Sequence, residues 1–188
     1  MPLTDTITRK LAHTRVVTCH GYKREDGLWD IEGRIVDTKP YRFPNRDRGG
    51  WIEAEEALHD ISIRVTINIE MEVLDAEAVI DSSPYNYCKC VVSVAKKLIG
   101  LQIAPGWTLK SKKAMGKNRG CTHLTELLGP VATTAIQTIT SEMIKRRKER
   151  AVEQIEAKSL FINSCHSLSA NSPVVKEHWP DHYINTGN

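Results

Sequence analysis

The sequence predicts an α+β fold, in which helices from the second half of the chain, one of them long and kinked, cover one face of a four-stranded antiparallel sheet. Apolar residues recur at every second position in the first half and at helical spacing in the second half. An Asp26-Gly27 turn between the first two apolar runs is typical of a β-hairpin. We expect a single domain over residues 13–157 and a polar tail over residues 158–188 that packs back on it in part.

Four strands are predicted, over residues 15–22, 28–37, 59–68 and 70–80. The third has the cleanest alternation, with isoleucine or valine at positions 61, 63, 65 and 67 and polar residues between them. The fourth changes register, which indicates a turn or a bulge. Residues 38–57 carry two prolines, a glycine pair and three arginines without periodicity, and are predicted to form a long loop.

Three helices are predicted in the second half, over residues 87–98, over residues 108–115 and from near Cys121 to about Ala157. The pair Gly129-Pro130 is expected to kink or restart the long helix, because proline cannot donate a backbone N–H. Small residues follow at positions 132–135, where another backbone or a ligand can come close.

The composition argues against a nucleic-acid-binding protein. The chain has 188 residues, 40% of them hydrophobic and 26% charged, which is ordinary for a soluble globular domain. Its basic runs at 110–119 and 145–150 are interpreted as solvated helix surface, since no nucleic-acid-binding motif accompanies them. We therefore expect no nucleic acid as a partner.

The sequence also lacks signals for export or membrane insertion. No signal peptide is visible at the N-terminus, and no apolar run approaches the ~18 residues of a membrane span. We therefore expect a cytoplasmic protein with no membrane partner. In that compartment the five cysteines are expected to be thiols, metal ligands or nucleophiles rather than disulfides.

The start of the long helix is the first candidate site. Cys121, His123 and Glu126 place a thiol, an imidazole and a carboxylate there, and a helix N-terminus lowers the pKa of a thiol. Cys121 could thus act as a nucleophile. With His123, Cys165 and His166 it could instead bind zinc. A third interpretation is structural, with buried thiols and with imidazoles bonded to the backbone.

Polar residues of the predicted strands form the second candidate site. An imidazole at His59 would supply a base near neutral pH, and a guanidinium at Arg64 or Arg15 would supply a fixed cation. Tyr85 could donate to a developing oxyanion. The alternative is that these side chains lie on a solvated face of the sheet. Nothing in the sequence resembles a nucleotide-binding loop, so no nucleotide cofactor is expected.

Several motifs resemble a known family. They are His13-Thr14-Arg15, Asp26-Gly27-Leu28-Trp29-Asp30-Ile31-Glu32-Gly33, Pro105-Gly106-Trp107, Gly120-Cys121-Thr122-His123-Leu124-Thr125-Glu126-Leu127 and Cys165-His166-Ser167-Leu168. These strings look like a bacterial family known as domain of unknown function 2889, from about His13 to about Trp179. The resemblance implies a small-molecule enzyme, since such proteins are associated with the breakdown of aromatic compounds, including lignin-derived ones, or of acyl-CoA esters.

The predicted function is a cofactor-independent lyase that cleaves a C–C or C–O bond of a lignin-derived aromatic substrate by acid–base chemistry. His59 or His123 would act as the base, and the stabiliser of the leaving oxygen would be Arg15, Arg64 or Tyr85. The alternatives are a zinc- or cysteine-dependent hydrolase and a non-enzymatic ligand-binding or accessory protein. We expect a homodimer, which in the non-enzymatic alternative forms through the charged helix. The candidate catalytic residues are His59, Arg64, His123, Cys121 and Tyr85. The candidate substrate-binding residues are His13, Arg15, Trp29, Asp30, Trp107 and Glu126, and the ligands of a zinc ion would be Cys121, His123, Cys165 and His166.

Overall fold

The apolar alternation of the first half forms an antiparallel sheet, as predicted. In this computed structural model the strands are β1 (Thr14–Lys23), β2 (Trp29–Thr38), β3 (Phe43–Asn45), β4 (Gly50–Ile52), β5 (His59–Ile67) and β6 (Val73–Ser82). Four of them form one sheet in the order β1-β2-β5-β6. Register shifts interrupt the pairing of β5 with β6, in agreement with the irregular alternation of the fourth predicted strand. The predicted α+β fold is confirmed.

The structure describes residues 3–4, 7–116, 118–149 and 162–185. Their α-helices are α1 (Trp107–Met115), α2 (Thr122–Glu149) and α3 (Pro173–His178). Within these residues no helix is both long enough and apolar enough to cross a membrane. The chain divides between Met143 and Ile144 into two compact units, and the first contains the whole sheet.

Two segments differ from their predicted conformation. Residues Asn86–Leu98 form a 3₁₀ helix instead of an α-helix. Their apolar side chains stand three residues apart, at Val91 and Val94 and at Ala95 and Leu98, a spacing that gives one apolar face in either helix type. In the predicted loop 38–57, β3 and β4 pair as a short hairpin.

Helix α2 is continuous through Pro130, so the predicted restart is wrong, and the kink stays a prediction. Gly129 and Pro130 both lie on its exposed side. Water can therefore bond the carbonyl of Glu126, which Pro130 leaves without its usual N–H partner. The predicted end of this helix near Ala157 lies outside the described residues.

The main core lies between the sheet and α2. Each fully buried aliphatic side chain contributes about 1.5–3 kcal/mol relative to an exposed one, so this layer stabilises the first unit. Every second residue of β2 and β5 points into it, and from α2 a stripe at helical spacing does so. The buried apolar residues of these three elements include Trp29, Ile31, Ile35, Ile61, Ile63, Val65, Ile67, Leu124, Leu127, Leu128, Val131, Ala135 and Ile139.

Two glycines allow α2 to lie directly on the sheet. A Cβ built on Gly33 would stand 2.7 Å from Cγ2 of Val131, and one built on Gly21 would stand 2.8 Å from both Cβ and Cγ2 of Thr138. Only a residue without a side chain fits such a gap. Because α2 lies over these glycines, its first turn lies beside the first residues of β1. The end of β2 and the start of β5 are at the same end of the sheet.

Salt bridges at both ends align α2 with β1. Arg15 bonds Glu126 near the start of the helix, and Lys23 bonds Glu142 sixteen residues later. Helix and strand therefore run in the same direction.

In the second unit, Ser172 caps α3 by accepting a hydrogen bond from the backbone N–H of Val175, and Ala170 and Val175 are buried. The domain over residues 13–157 and the tail over residues 158–188 remain predictions.

Gly21→Ala is expected to destabilise the protein by about 1–3 kcal/mol, because an added methyl group would overlap Thr138 and separate α2 from the sheet. Urea unfolding followed by circular dichroism measures this change. The control is Gly129→Ala, because an added Cβ there meets no atom within 4 Å. That variant is expected to be up to about 1 kcal/mol more stable, from helix propensity alone. Equal stabilities of Gly21→Ala and the unchanged chain would contradict the close approach.

Candidate functional site

The site begins with three polar residues that the sheet register places in one row. Arg15 on β1 pairs with Asp37 on β2, and Asp37 pairs with His59 on β5. Asp37 follows Trp29, Ile31, Gly33 and Ile35 at two-residue spacing, so its side chain lies on the buried face of the sheet. The sequence analysis missed Asp37, although a carboxylate that continues an apolar row was the available signal.

Asp37 is only 1% exposed, and four side-chain nitrogens surround it. Arg15 donates from Nε to Oδ1 at 2.7 Å and from Nη2 to Oδ2 at 2.8 Å. His59 Nδ1 lies 2.9 Å from Oδ2, and His13 Nε2 lies 3.2 Å from Oδ1. Both carboxylate oxygens are therefore hydrogen-bonded, which satisfies a buried charge.

These contacts keep Asp37 ionised. Burial raises the pKa of its carboxyl, but the hydrogen bonds and charge of Arg15, with those of His59, outweigh burial and lower the pKa to about 2. The stabilisation that follows is complete above the ordinary carboxyl pKa of about 3.9 and is lost as the pH falls toward the folded-state value.

The start of α2 adds a second imidazole to this row. His123 Nε2 lies 3.7 Å from Asp37 Oδ2, and the centroids of the His123 and His59 rings are 3.8 Å apart. Glu126, one turn further along, bonds Arg15. We call these residues the Asp37 cluster: His13, Arg15, Asp37, His59, His123 and Glu126.

The imidazoles of His59 and His123 both have lowered pKa values in the folded protein. Burial lowers the pKa of His59, and the charge of His123 lowers it further, although Asp37 opposes this. Burial also lowers the pKa of His123, with the charge of Arg15 acting in the same direction. Both rings are therefore neutral near pH 7 and can accept a proton.

Cys121 precedes α2 and lies beside the second imidazole. Its Sγ is 3.9 Å from His123 Nδ1, at the outer limit of a sulfur hydrogen bond. The thiol is partly buried, and its backbone carbonyl accepts hydrogen bonds from the N–H and the hydroxyl of Thr125. The thiol and imidazole predicted at the helix start are thus adjacent.

A cavity of about 570 Å³ opens beside the Asp37 cluster. His59, Cys121 and His123 form part of its wall, at the start of α2. This volume is within the range of sites for small organic molecules. The remaining wall is largely apolar or aromatic and includes Ile61, Pro84, Tyr85, Tyr87, Val91 and Val94.

Three residues of the cluster could hold a metal ion. Donor atoms of Asp37, His59 and His123 lie within 4.8 Å of one another, and two imidazoles with a carboxylate are a common ligand set for zinc or iron. Arg15, however, already donates to both oxygens of Asp37. Its positive charge opposes a dication at the same carboxylate. The set therefore matches a metal site in ligand type but not in charge.

Two of the predicted site residues lie away from this cavity. Arg64 forms an ion pair with Glu77, and Asp30 accepts hydrogen bonds from Thr66 and Arg24. Both residues are offset by one position from the buried residues of their strands, so their side chains lie on the opposite face of the sheet. The structure does not bring them to the Asp37 cluster.

The predicted aromatic residues take three different positions. Trp29 is 1% exposed and belongs to the core. Trp107 is also buried, and its indole N–H donates to the backbone carbonyl of Leu128. Tyr85 is exposed and lies in the cavity wall. Cys165 and His166 lie in the second unit, where both side chains are exposed.

The fold and the site together define an α+β protein with an Asp–His pair and a second histidine at a cavity between sheet and helix. The chain belongs to the family described as Protein of unknown function (DUF2889), whose model matches residues 13–137. The matched span contains the whole Asp37 cluster and ends before the Cys165-His166 pair, so it is shorter than the resemblance seen in the sequence. No curated protein and no solved structure matches the chain significantly.

The free energy of unfolding is expected to decrease as the pH is lowered from about 7.5 to about 5. The pKa values of His59 and His123 are lowered in the folded state, so the unfolded chain binds protons first as the pH falls below about 6.5. The double variant His59→Asn/His123→Gln should lose less stability over this interval. Urea unfolding at the two pH values measures the difference. His20→Gln, on the exposed face of the sheet, is the control, and an equally flat response from it would contradict this assignment.

Proposed function

We propose that this chain is an enzyme that transfers a proton to and from a small organic molecule bound in the cavity beside the Asp37 cluster. One observation carries the proposal: a buried, ionised Asp37 bonds His59 at 2.9 Å, and the His59 ring lies in the cavity wall. A carboxylate that orients an imidazole is the arrangement that many enzymes use for general base catalysis.

The hydrogen bond to Asp37 assigns the proton of neutral His59 to Nδ1. Nε2 then carries the free electron pair and can accept a proton from the bound molecule. Asp37 stabilises the imidazolium that results, and it stays ionised while it does so. Arg15 acts on this pair as a positioning residue, because its two hydrogen bonds hold the carboxylate in place.

The reaction class that we propose is that of a lyase acting on an aromatic compound. When His59 removes a proton, the electron pair that this proton leaves behind would form a new double bond as a C–C or C–O bond breaks, and the pair of the broken bond would leave with the departing group. A phenolic ring can take part by delocalising charge as a quinone methide. Of the predicted stabilisers of the leaving oxygen, Arg15 and Arg64 are held by carboxylates. Tyr85, in the cavity wall, remains for this role. The aromatic and aliphatic wall supports a substrate with a planar apolar body.

A hydrolase remains the second candidate, because Cys121 Sγ and His123 Nδ1 are 3.9 Å apart. A thiol beside an imidazole at the start of a helix can act as a nucleophile. A zinc-dependent version would place the ion among the donor atoms of Asp37, His59 and His123, where the charge of Arg15 opposes it. A binding protein without activity is the third alternative.

His59→Asn is expected to lower kcat by about 10²–10⁴-fold, because asparagine keeps an N–H for Asp37 but lacks the basic nitrogen. Products are measured by mass spectrometry after incubation with a panel of phenolic compounds that carry hydroxylated or ether-linked side chains. If the enzyme is a lyase, Cys121→Ala should keep most of its activity. If it is a cysteine hydrolase, Cys121→Ala should lose all of its activity. Arg34→Gln, which breaks an ion pair with Asp60 away from the cavity, is the control.

Full activity of His59→Asn on a confirmed substrate would contradict the proposal. Loss of activity in Arg34→Gln would attribute the effect to folding instead of catalysis. A binding protein would bind panel compounds without forming any product.

Dialysis against EDTA is expected to leave the activity unchanged, because Arg15 neutralises the carboxylate that a metal would need. Metal content and activity of the untagged protein are measured before and after dialysis. Stoichiometric zinc that leaves together with the activity would favour the hydrolase.

A further inference from the structure

We propose that the molecule bound in the cavity is an aromatic carboxylate, whose carboxyl group pairs with Lys97 and Arg119 at the cavity wall. This inference rests on the proposed function, because it names the class of substrate that the same cavity takes. Lys97 and Arg119 have no part in the proposed acid–base chemistry.

The charge of the cavity wall has one sign. Lys97 and Arg119 belong to the wall, and among its described residues there is no aspartate and no glutamate. The two imidazoles of the wall, His59 and His123, are neutral near pH 7. A bound anion would therefore meet two cations and no repelling carboxylate.

Neither cation has a partner among the described residues. Lys96, the neighbour of Lys97, bonds Asp75 at 2.6 Å. Arg15, at the other side of the cluster, is held by two carboxylates. Lys97 and Arg119 make no such bond, so their full charge is available to a ligand.

Two separate elements supply these cations to one cavity. Lys97 lies near the end of the 3₁₀ helix Asn86–Leu98, and Arg119 lies in the segment before α2. Both side chains are exposed, whereas His59 and His123 are 14% and 22% exposed. A carboxylate held at the exposed part of the wall leaves the aromatic body to extend toward the imidazoles.

A carboxylate suits the charge and the donor groups of these two cations. The guanidinium of Arg119 can donate two parallel hydrogen bonds to its two oxygens, and the ammonium of Lys97 adds a third donor. The apolar side chains Pro84, Val91 and Val94 in the same wall favour a ring over a compact inorganic anion. An aromatic acid combines both requirements.

The test compares 4-hydroxycinnamate with its uncharged primary amide by isothermal titration calorimetry. The acid is expected to bind the unchanged protein roughly tenfold or more tightly than the amide, which corresponds to about one charge-assisted hydrogen bond. The double variant Lys97→Gln/Arg119→Gln should bind both probes equally. Lys89→Gln, on the same 3₁₀ helix but outside the cavity wall, should keep the preference for the acid.

Equal affinity for the two probes, no binding of either, or a preference that persists in the double variant would overturn the inference. Unfolding temperatures of all variants exclude misfolding as the cause of lost binding. The result is independent of catalysis. Preference for the acid with full activity of His59→Asn would contradict only the proposed function, and equal binding with an inactive His59→Asn would contradict only this inference.

Discussion

The paired charges of Arg15 and Asp37 are the interaction on which the site depends. Asp37 is buried, and a lone carboxylate at that position would be strongly unfavourable, so the guanidinium beside it stabilises the folded state. The same carboxylate orients His59, and the same guanidinium bonds Glu126 on α2. One ion pair thus links two strands of the sheet to the long helix and orients the imidazole of His59.

The backbone makes this arrangement geometrically accessible. Gly21 and Gly33 let α2 lie against the sheet, and the direction of α2 brings its first turn to the end of the sheet that carries Asp37. The 3₁₀ helix that follows β6 completes the cavity wall at this end. Polar residues are concentrated at one end because the remainder of the sheet–helix layer is filled by aliphatic side chains.

The electrostatics of the cavity divide into two parts. Around Asp37, positive and negative charges are paired, and burial keeps the imidazoles neutral. At the wall, Lys97 and Arg119 have no partner among the described residues. In the proposed function, the unpaired cations of the wall bind the anionic group of the substrate and the paired interior supplies the base.

Local periodicity and side-chain chemistry are enough to predict the α+β class, the strand alternation and the candidates His59, His123, Arg15 and Cys121 from the sequence. The sequence also indicates that Arg64 and His59 lie on opposite faces of the sheet, since they are an odd number of residues apart in one strand. The tertiary structure was needed to show that Asp37 joins Arg15 and His59, because strand register pairs residues far apart in the chain. It also decided that α2 brings His123 to them, since helix packing depends on the fit of its side chains against the two glycines and not on any local pattern.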